Sequence, residues 1–130
     1  MISVLRSYKW AILWASLIFV LCAIPGRDLP HFDWLEILQF DKWVHAGMFF
    51  ILFLLAGKAY TISHSSSFNL QNKLILFVAC STYGTLLELM QAFVFVDRSF
   101  DIYDEIANSF GAGMGVLLFD KVVNLWRENK

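Results

Sequence analysis

The sequence predicts an all-α fold: an integral membrane bundle of four transmembrane helices with both termini cytoplasmic. Three observations lead there. Of 130 residues, 58% are hydrophobic and only 16% are charged, and the mean hydropathy is +0.61. A soluble domain this short needs polar surface over most of its area, so lipid is the solvent that fits. The apolar residues gather into four continuous runs, each near the ~20 residues that cross a bilayer as a helix. The runs do not alternate apolar with polar residues as a membrane strand requires, and a helix satisfies its own backbone polar groups within lipid.

The first span covers about residues 8–24 and is stopped by Pro25-Gly26. It follows Arg6 and Lys9, as the apolar part of a signal peptide would. It also carries Trp10 and Trp14 and lacks a small-x-small cleavage site before Arg27, so it reads as an uncleaved span. The second span covers about 42–61, with Lys58 placed to snorkel near its end. The third covers about 72–96 and is interrupted only by Glu88. The fourth covers about 100–125, and its apolar centre, Ile106 to Phe119, lies between acids on one side and Asp120-Lys121 on the other.

The connections are short. Arg27 to Asp41 is an acidic loop carrying Phe32 and Trp34, and its LEIL core predicts a short interfacial helix. Ser63 to Gln71 is a Ser-rich turn, and Asp97 to Ser99 a tight reversal. With no internal repeat and no long linker, residues 1–130 read as a single domain.

Lys and Arg set the orientation. Arg6, Lys9, Lys58, Lys73, Lys121, Arg127 and Lys130 fall on one side, seven against the three of Arg27, Lys42 and Arg98. The positive-inside rule then places both termini in the cytoplasm. Seven of the eleven acids (Asp28, Asp33, Glu36, Asp41, Asp97, Asp101 and Asp104), together with Glu105, belong to the outer side. Whatever the orientation, four spans put the first and third loops on one face, so Asp41 and Arg98 share a side.

The densest polar stretch is Glu88 to Gly115, ELMQAFVFVDRSFDIYDEIANSFGAGMG. At 1.5 Å rise per residue, His45 lies roughly 6 Å from the outer end of its span, Glu88 roughly 12 Å and Asn108 roughly 10 Å. Their neighbours fall in stripes: Asp41, His45 and Phe49; Gly84, Glu88, Gln91 and Phe95; Asp104, Asn108, Gly111 and Gly115. Asp41, Lys42, His45, Glu88, Gln91, Arg98, Asp101, Asp104 and Asn108 are therefore the candidate ligand-binding residues, brought by three helices to the outer half of the membrane.

Each has a plainer role to set beside this. Glu88 can serve as a hydrogen-bonded packing group, although ionisable residues inside a membrane are functional candidates by default. His45 alone is more often a structural partner than a ligand, and its i, i+4 placement with Asp41 strengthens the functional role. Gly111-x-Gly113-x-Gly115 contains a GxxxG that lets the fourth helix approach a neighbour closely. It follows no strand, so it is not a phosphate loop. Arg98 is a clamp on the site's carboxylates or a binder of phosphate or carboxylate on a ligand. Cys22 and Cys80 read as packing residues, His31 and His64 receive no role, and the Phe and Trp residues read mostly as lipid-facing surface and interfacial belt. The formal net charge of -1 gives no basic balance for nucleic acid.

These positions resemble the VanZ-like family of small bacterial membrane proteins. The matching motifs are Asp41-Lys42-x-x-His45 leading into an apolar helix, Glu88-x-x-Gln91, Arg98-Ser99-Phe100-Asp101, and Asp104-x-x-x-Asn108-x-x-Gly111-x-x-x-Gly115. Pro25-Gly26 followed by Leu29-Pro30 also fits, and the resemblance covers about Ala23 to Leu118. Many members carry a proline shortly before the arginine, where Val96-Asp97 stands here. The resemblance implies a multi-span protein of the bacterial inner (plasma) membrane with a cell-envelope role. The family takes its name from a protein associated with low-level teicoplanin resistance.

Three functions follow from these residues. The leading one is an outward-facing polar pocket that binds an anionic envelope ligand, such as a lipid-linked precursor or phospholipid. In it Arg98 and Lys42 meet the head group, and Glu88 and Asn108 form the floor. It takes membrane lipids as partners and requires no cofactor and no metal. The second is an intramembrane metal-dependent hydrolase or transferase using Asp41, His45, Glu88 and Asp104. The third is a non-catalytic interaction subunit whose polar residues lock helices together. Nothing in the sequence sets an oligomeric state.

Overall fold

The computed structural model describes residues 2–28, 39–64 and 67–128. They form four helices: α1 (Ile2–Ala23), α2 (Phe40–His64), α3 (Leu70–Phe93) and α4 (Ile102–Glu128). All four contain segments long and apolar enough to cross a membrane, of 20, 25, 24 and 27 residues. At about 1.5 Å per residue even the shortest reaches the ~30 Å of a hydrocarbon core. The interfacial helix expected at LEIL lies outside the described residues.

The helix ends follow local chemistry. A short 3-10 turn, Gly26–Asp28, comes just after α1, where Pro25 interrupts the helical pattern. Asn69 caps α3 by accepting the Asn72 N–H at 3.0 Å. Asp101 caps α4 in the same way, accepting the Tyr103 N–H at 2.8 Å. The third helix ends earlier than the expected 96. The Val94 and Phe95 N–H groups both donate to the Met90 carbonyl, at 2.8 and 2.9 Å, so the last turn closes on one oxygen. Asp97 then takes a positive φ of 54°, a region open to Asp and closed to proline. The turn before Arg98 is therefore built on Asp97, without a proline.

The central helix is α2, which packs on α1, α3 and most extensively α4. Helices α3 and α4 run antiparallel: Glu88 meets Asp101 at one end, and Lys73 meets Asp120 at the other. Helices α2 and α4 run parallel, with Lys42 beside Asp104 at their starts and Gly57 beside Phe119 further along. Two adjacent helix N-termini concentrate partial positive charge, which favours the carboxylates of Asp41, Asp104 and Glu105 in their first turns.

Burial is arranged as in a membrane bundle. Trp10, Leu13, Ile75, Val78, Phe93 and Leu117 are exposed, whereas His45, Glu88, Gln91, Asp104 and Asn108 are buried. Most described Phe and Trp residues are exposed or partly exposed, as the sequence leads one to expect, but four phenylalanines are not. Phe49, Phe53, Phe68 and Phe119 form much of the core. Phe53, Phe68 and Phe119 fit because glycines face them. A Cβ at Gly115 would fall 2.5 Å from the Phe53 ring, and one at Gly57 would fall 2.5 Å from Phe119. The GxxxG in α4 has the packing role expected of it: a Cβ at Gly111 would overlap the carbonyl oxygen of Ala46 on α2.

Candidate functional site

The site forms where α2, α3 and α4 meet, just below the turn joining α3 to α4. Its charge centre is Lys42. The Nζ donates to Asp41 Oδ2 at 2.6 Å, Asp101 Oδ2 at 2.7 Å and Asp104 Oδ1 at 2.6 Å. An ammonium has three hydrogens, so these carboxylates occupy it fully. The hydrogen bond from Lys42 also holds the Asp101 carboxyl below its ordinary range, against partial desolvation and with help from the Tyr103 N–H.

One helix turn deeper, His45 Nδ1 lies 2.9 Å from Asn108 Oδ1. The tautomer follows from the next group in the chain. Asn108 Nδ2 donates to Glu105 Oε2 at 3.4 Å. With its Nδ2 turned to Glu105, the amide presents its oxygen, an acceptor, to the ring. Nδ1 therefore carries hydrogen. Nε2 is left facing Asp104 Oδ2 at 3.7 Å, beyond hydrogen-bond distance.

Glu88 enters from α3 and is 1% exposed. Its Oε2 accepts the backbone N–H of Asp101 at 3.1 Å, so this carboxylate holds the turn that starts α4. Its Oε1 is buried with no hydrogen-bond partner among the described residues. One donor atom each from His45, Glu88 and Asp104 lie within 4.8 Å of one another. Asp41, Asp101 and Asp104 form a second such group, but Lys42 already sits among them.

Beside these groups opens a cavity of about 460 Å³. Asp41, His45, Arg98, Asp101 and Asp104 are among its polar lining, and Leu21, Ile24, Val44 and Met48 among its apolar lining. Arg98 makes no ion pair or hydrogen bond among the described residues. The neighbouring Asp97 pairs instead with Arg27, at 3.6 Å across an exposed surface. Of the two roles open to Arg98, the clamp on the site's carboxylates is thus not the one the geometry displays.

The structure brings together Asp41, Lys42, His45, Glu88, Asp101, Asp104 and Asn108, and places Arg98 at their edge. It turns Gln91 away: Nε2 donates to the Cys22 carbonyl of α1 at 3.0 Å, tying α3 to α1. Glu105 was not singled out from sequence, yet its carboxylate accepts from Thr85 at 3.1 Å, Ser109 at 3.3 Å and Asn108. The i, i+3 and i, i+4 spacing of Glu105, Asn108 and Ser109 was the available signal.

A family model described as VanZ/LLP1 matches residues 7–124 of the chain. Comparison with curated proteins and with solved structures gives no match.

Proposed function

The chain belongs to the VanZ/LLP1 family, and from that premise we propose that it is a bacterial cell-envelope membrane protein whose polar pocket binds an anionic ligand. The ligand class is a phosphate-bearing head group on a lipid tail, as in a phospholipid or a lipid-linked precursor. The observation that carries this reading is Arg98: a guanidinium lining the cavity, with no hydrogen bond or ion pair among the described residues. A planar fork of N–H donors matches phosphate oxygens in pairs. The apolar wall of Leu21, Ile24, Val44 and Met48 suits the first carbons of a tail. Lys42, with its hydrogens already shared among three carboxylates, is a poorer phosphate partner than the sequence alone suggested. The Lys and Arg bias supports both termini in the cytoplasm and an outward-facing pocket in the inner membrane. Occupancy of the pocket by an envelope precursor is the proposed route to tolerance of teicoplanin-type glycopeptides.

The test is binding of the purified chain, in neutral-lipid nanodiscs, to a fluorescent anionic phospholipid. One to two charge-assisted hydrogen bonds contribute about 1.5–3 kcal/mol, so Arg98→Ala is expected to weaken binding by roughly 10- to 100-fold. Equal binding by wild type and Arg98→Ala overturns the reading. The enzymatic alternative draws support from the His45, Glu88 and Asp104 cluster, and release of phosphate from the same lipid would distinguish it.

A further inference from the structure

We propose that His45, Glu88 and Asp104 bind one divalent transition-metal ion at the floor of the cavity. The three come from three different helices, and their donor atoms lie within 4.8 Å of one another. In each, one atom is committed and the other is left over. Asn108 holds His45 Nδ1 at 2.9 Å, which leaves Nε2. The Asp101 N–H holds Glu88 Oε2 at 3.1 Å, which leaves Oε1. Lys42 holds Asp104 Oδ1 at 2.6 Å, which leaves Oδ2. Glu88 Oε1 is the decisive atom: it belongs to a side chain 1% exposed, and it has no hydrogen-bond partner among the described residues. A buried carboxylate oxygen without a donor is costly, and a cation offsets that cost directly.

The committed atoms are what a metal site requires around its ligands. A ligating histidine typically donates its other ring N–H to an oxygen, which fixes tautomer and orientation. Ligating carboxylates are themselves hydrogen-bonded. With Zn–N and Zn–O lengths of about 2.1 Å, tetrahedral ligand atoms stand roughly 3.4 Å apart. His45 Nε2 and Asp104 Oδ2 are at 3.7 Å, and drawing in Glu88 from within 4.8 Å takes a side-chain rotation. One imidazole and two carboxylates suit ions of the manganese-to-zinc series, and the cysteines take no part. Three protein donors leave coordination positions open. His45 and Asp104 both line the cavity, so those positions face it. The charge balance agrees, since Asp41, Asp101 and Asp104 already share a single ammonium, Lys42, and Glu88 has no ion pair among the described residues. The site stands without the Arg98 reading, because none of its three donors is Arg98.

The experiment is titration of the chelator-treated full chain in nanodiscs with Mn²⁺, read by electron paramagnetic resonance, with Zn²⁺ as competitor. Wild type is expected to bind one Mn²⁺ per chain, displaced by Zn²⁺. Glu88→Gln, of nearly unchanged shape, and His45→Ala are expected to weaken binding more than 10-fold. Asp120→Asn, which alters a carboxylate at the opposite end of the bundle, is expected to leave it unchanged. Asn108→Ala, which removes the ring's partner but no ligand, is expected to weaken it by about 10- to 100-fold. The wild-type spectrum supplies a readout that needs no variant: bound Mn²⁺ must couple to a histidine nitrogen. Substoichiometric binding, a spectrum of oxygen ligands only, or full affinity in folded Glu88→Gln would each overturn the site and leave the cluster as a holder of protons.

Discussion

His45 Nδ1 and Asn108 Oδ1 meet at 2.9 Å between two parallel helices, in a buried pair. The relationship orders the whole site. Glu105 orients the Asn108 amide, the amide orients the ring, and the ring turns Nε2 toward Asp104 and the cavity.

Asn108→Ala tests that chain. It strands the buried Nδ1 hydrogen, and a buried donor left without an acceptor costs about 1–3 kcal/mol. The expected result is a lower unfolding midpoint in detergent and, in ¹⁵N spectra of labelled histidine, loss of the single-tautomer signal of His45. A folded variant that keeps one tautomer would show that another group orients the ring.

The four spans and the set of polar positions were legible because both depend on spacing along one helix. Apolar run length gives the spans, and i, i+4 repeats give the faces of Asp41, His45, Asp104 and Asn108. What was not legible depends on neighbours. Gln91 shares the face of Glu88 by spacing, yet α1 approaches there and offers the Cys22 carbonyl. Lys42 looks like a free cation until three carboxylates from two segments close on it. Phe53 and Phe119 read as lipid-facing until Gly115 and Gly57 are found opposite them. The earlier end of α3 follows from two N–H groups competing for the Met90 carbonyl, which no composition reports.

Lys42 and Asp101 give the site a pH dependence of definite sign. The Lys42 ammonium lowers the native pKa of Asp101 below its usual value. A carboxyl with a depressed native pKa binds fewer protons folded than unfolded. Its contribution is complete above the ordinary carboxylate range, near pH 4, and is lost as pH falls through the lower native value. The unfolding midpoint is expected to drop as pH falls below the ordinary carboxylate range and on through the lower native value, and Asp101→Asn is expected to flatten part of that slope. Lys42→Met removes the cause: it is expected to destabilise the bundle by roughly 2–4 kcal/mol at neutral pH, mostly through buried Asp104, since Asp41 and Asp101 are better solvated. An unchanged acid slope in Asp101→Asn would assign the loss to other carboxylates.

A close approach of two helix backbones sits beside the His45–Asn108 pair, and a single methyl group tests its importance. Gly111 follows Asn108 by one turn of α4, and Ala46 follows His45 directly on α2. A Cβ at Gly111 would overlap the Ala46 carbonyl oxygen, which is backbone and cannot rotate away. A Cβ at Gly113, two residues on, would meet only the Phe77 ring at 3.7 Å, an ordinary contact. The same substitution at the two positions therefore separates packing from helix preference. Alanine in place of glycine favours a helix by up to about 1 kcal/mol, while overpacking costs about 1–3 kcal/mol. Gly113→Ala is expected to be neutral or stabilising. Gly111→Ala is expected to lower the unfolding midpoint, and because it must push α2 from α4 at the level of the site, it should also disturb the His45 tautomer signal. If Gly111→Ala matched Gly113→Ala in both measurements, close packing of α2 against α4 would not be what aligns His45 with Asn108.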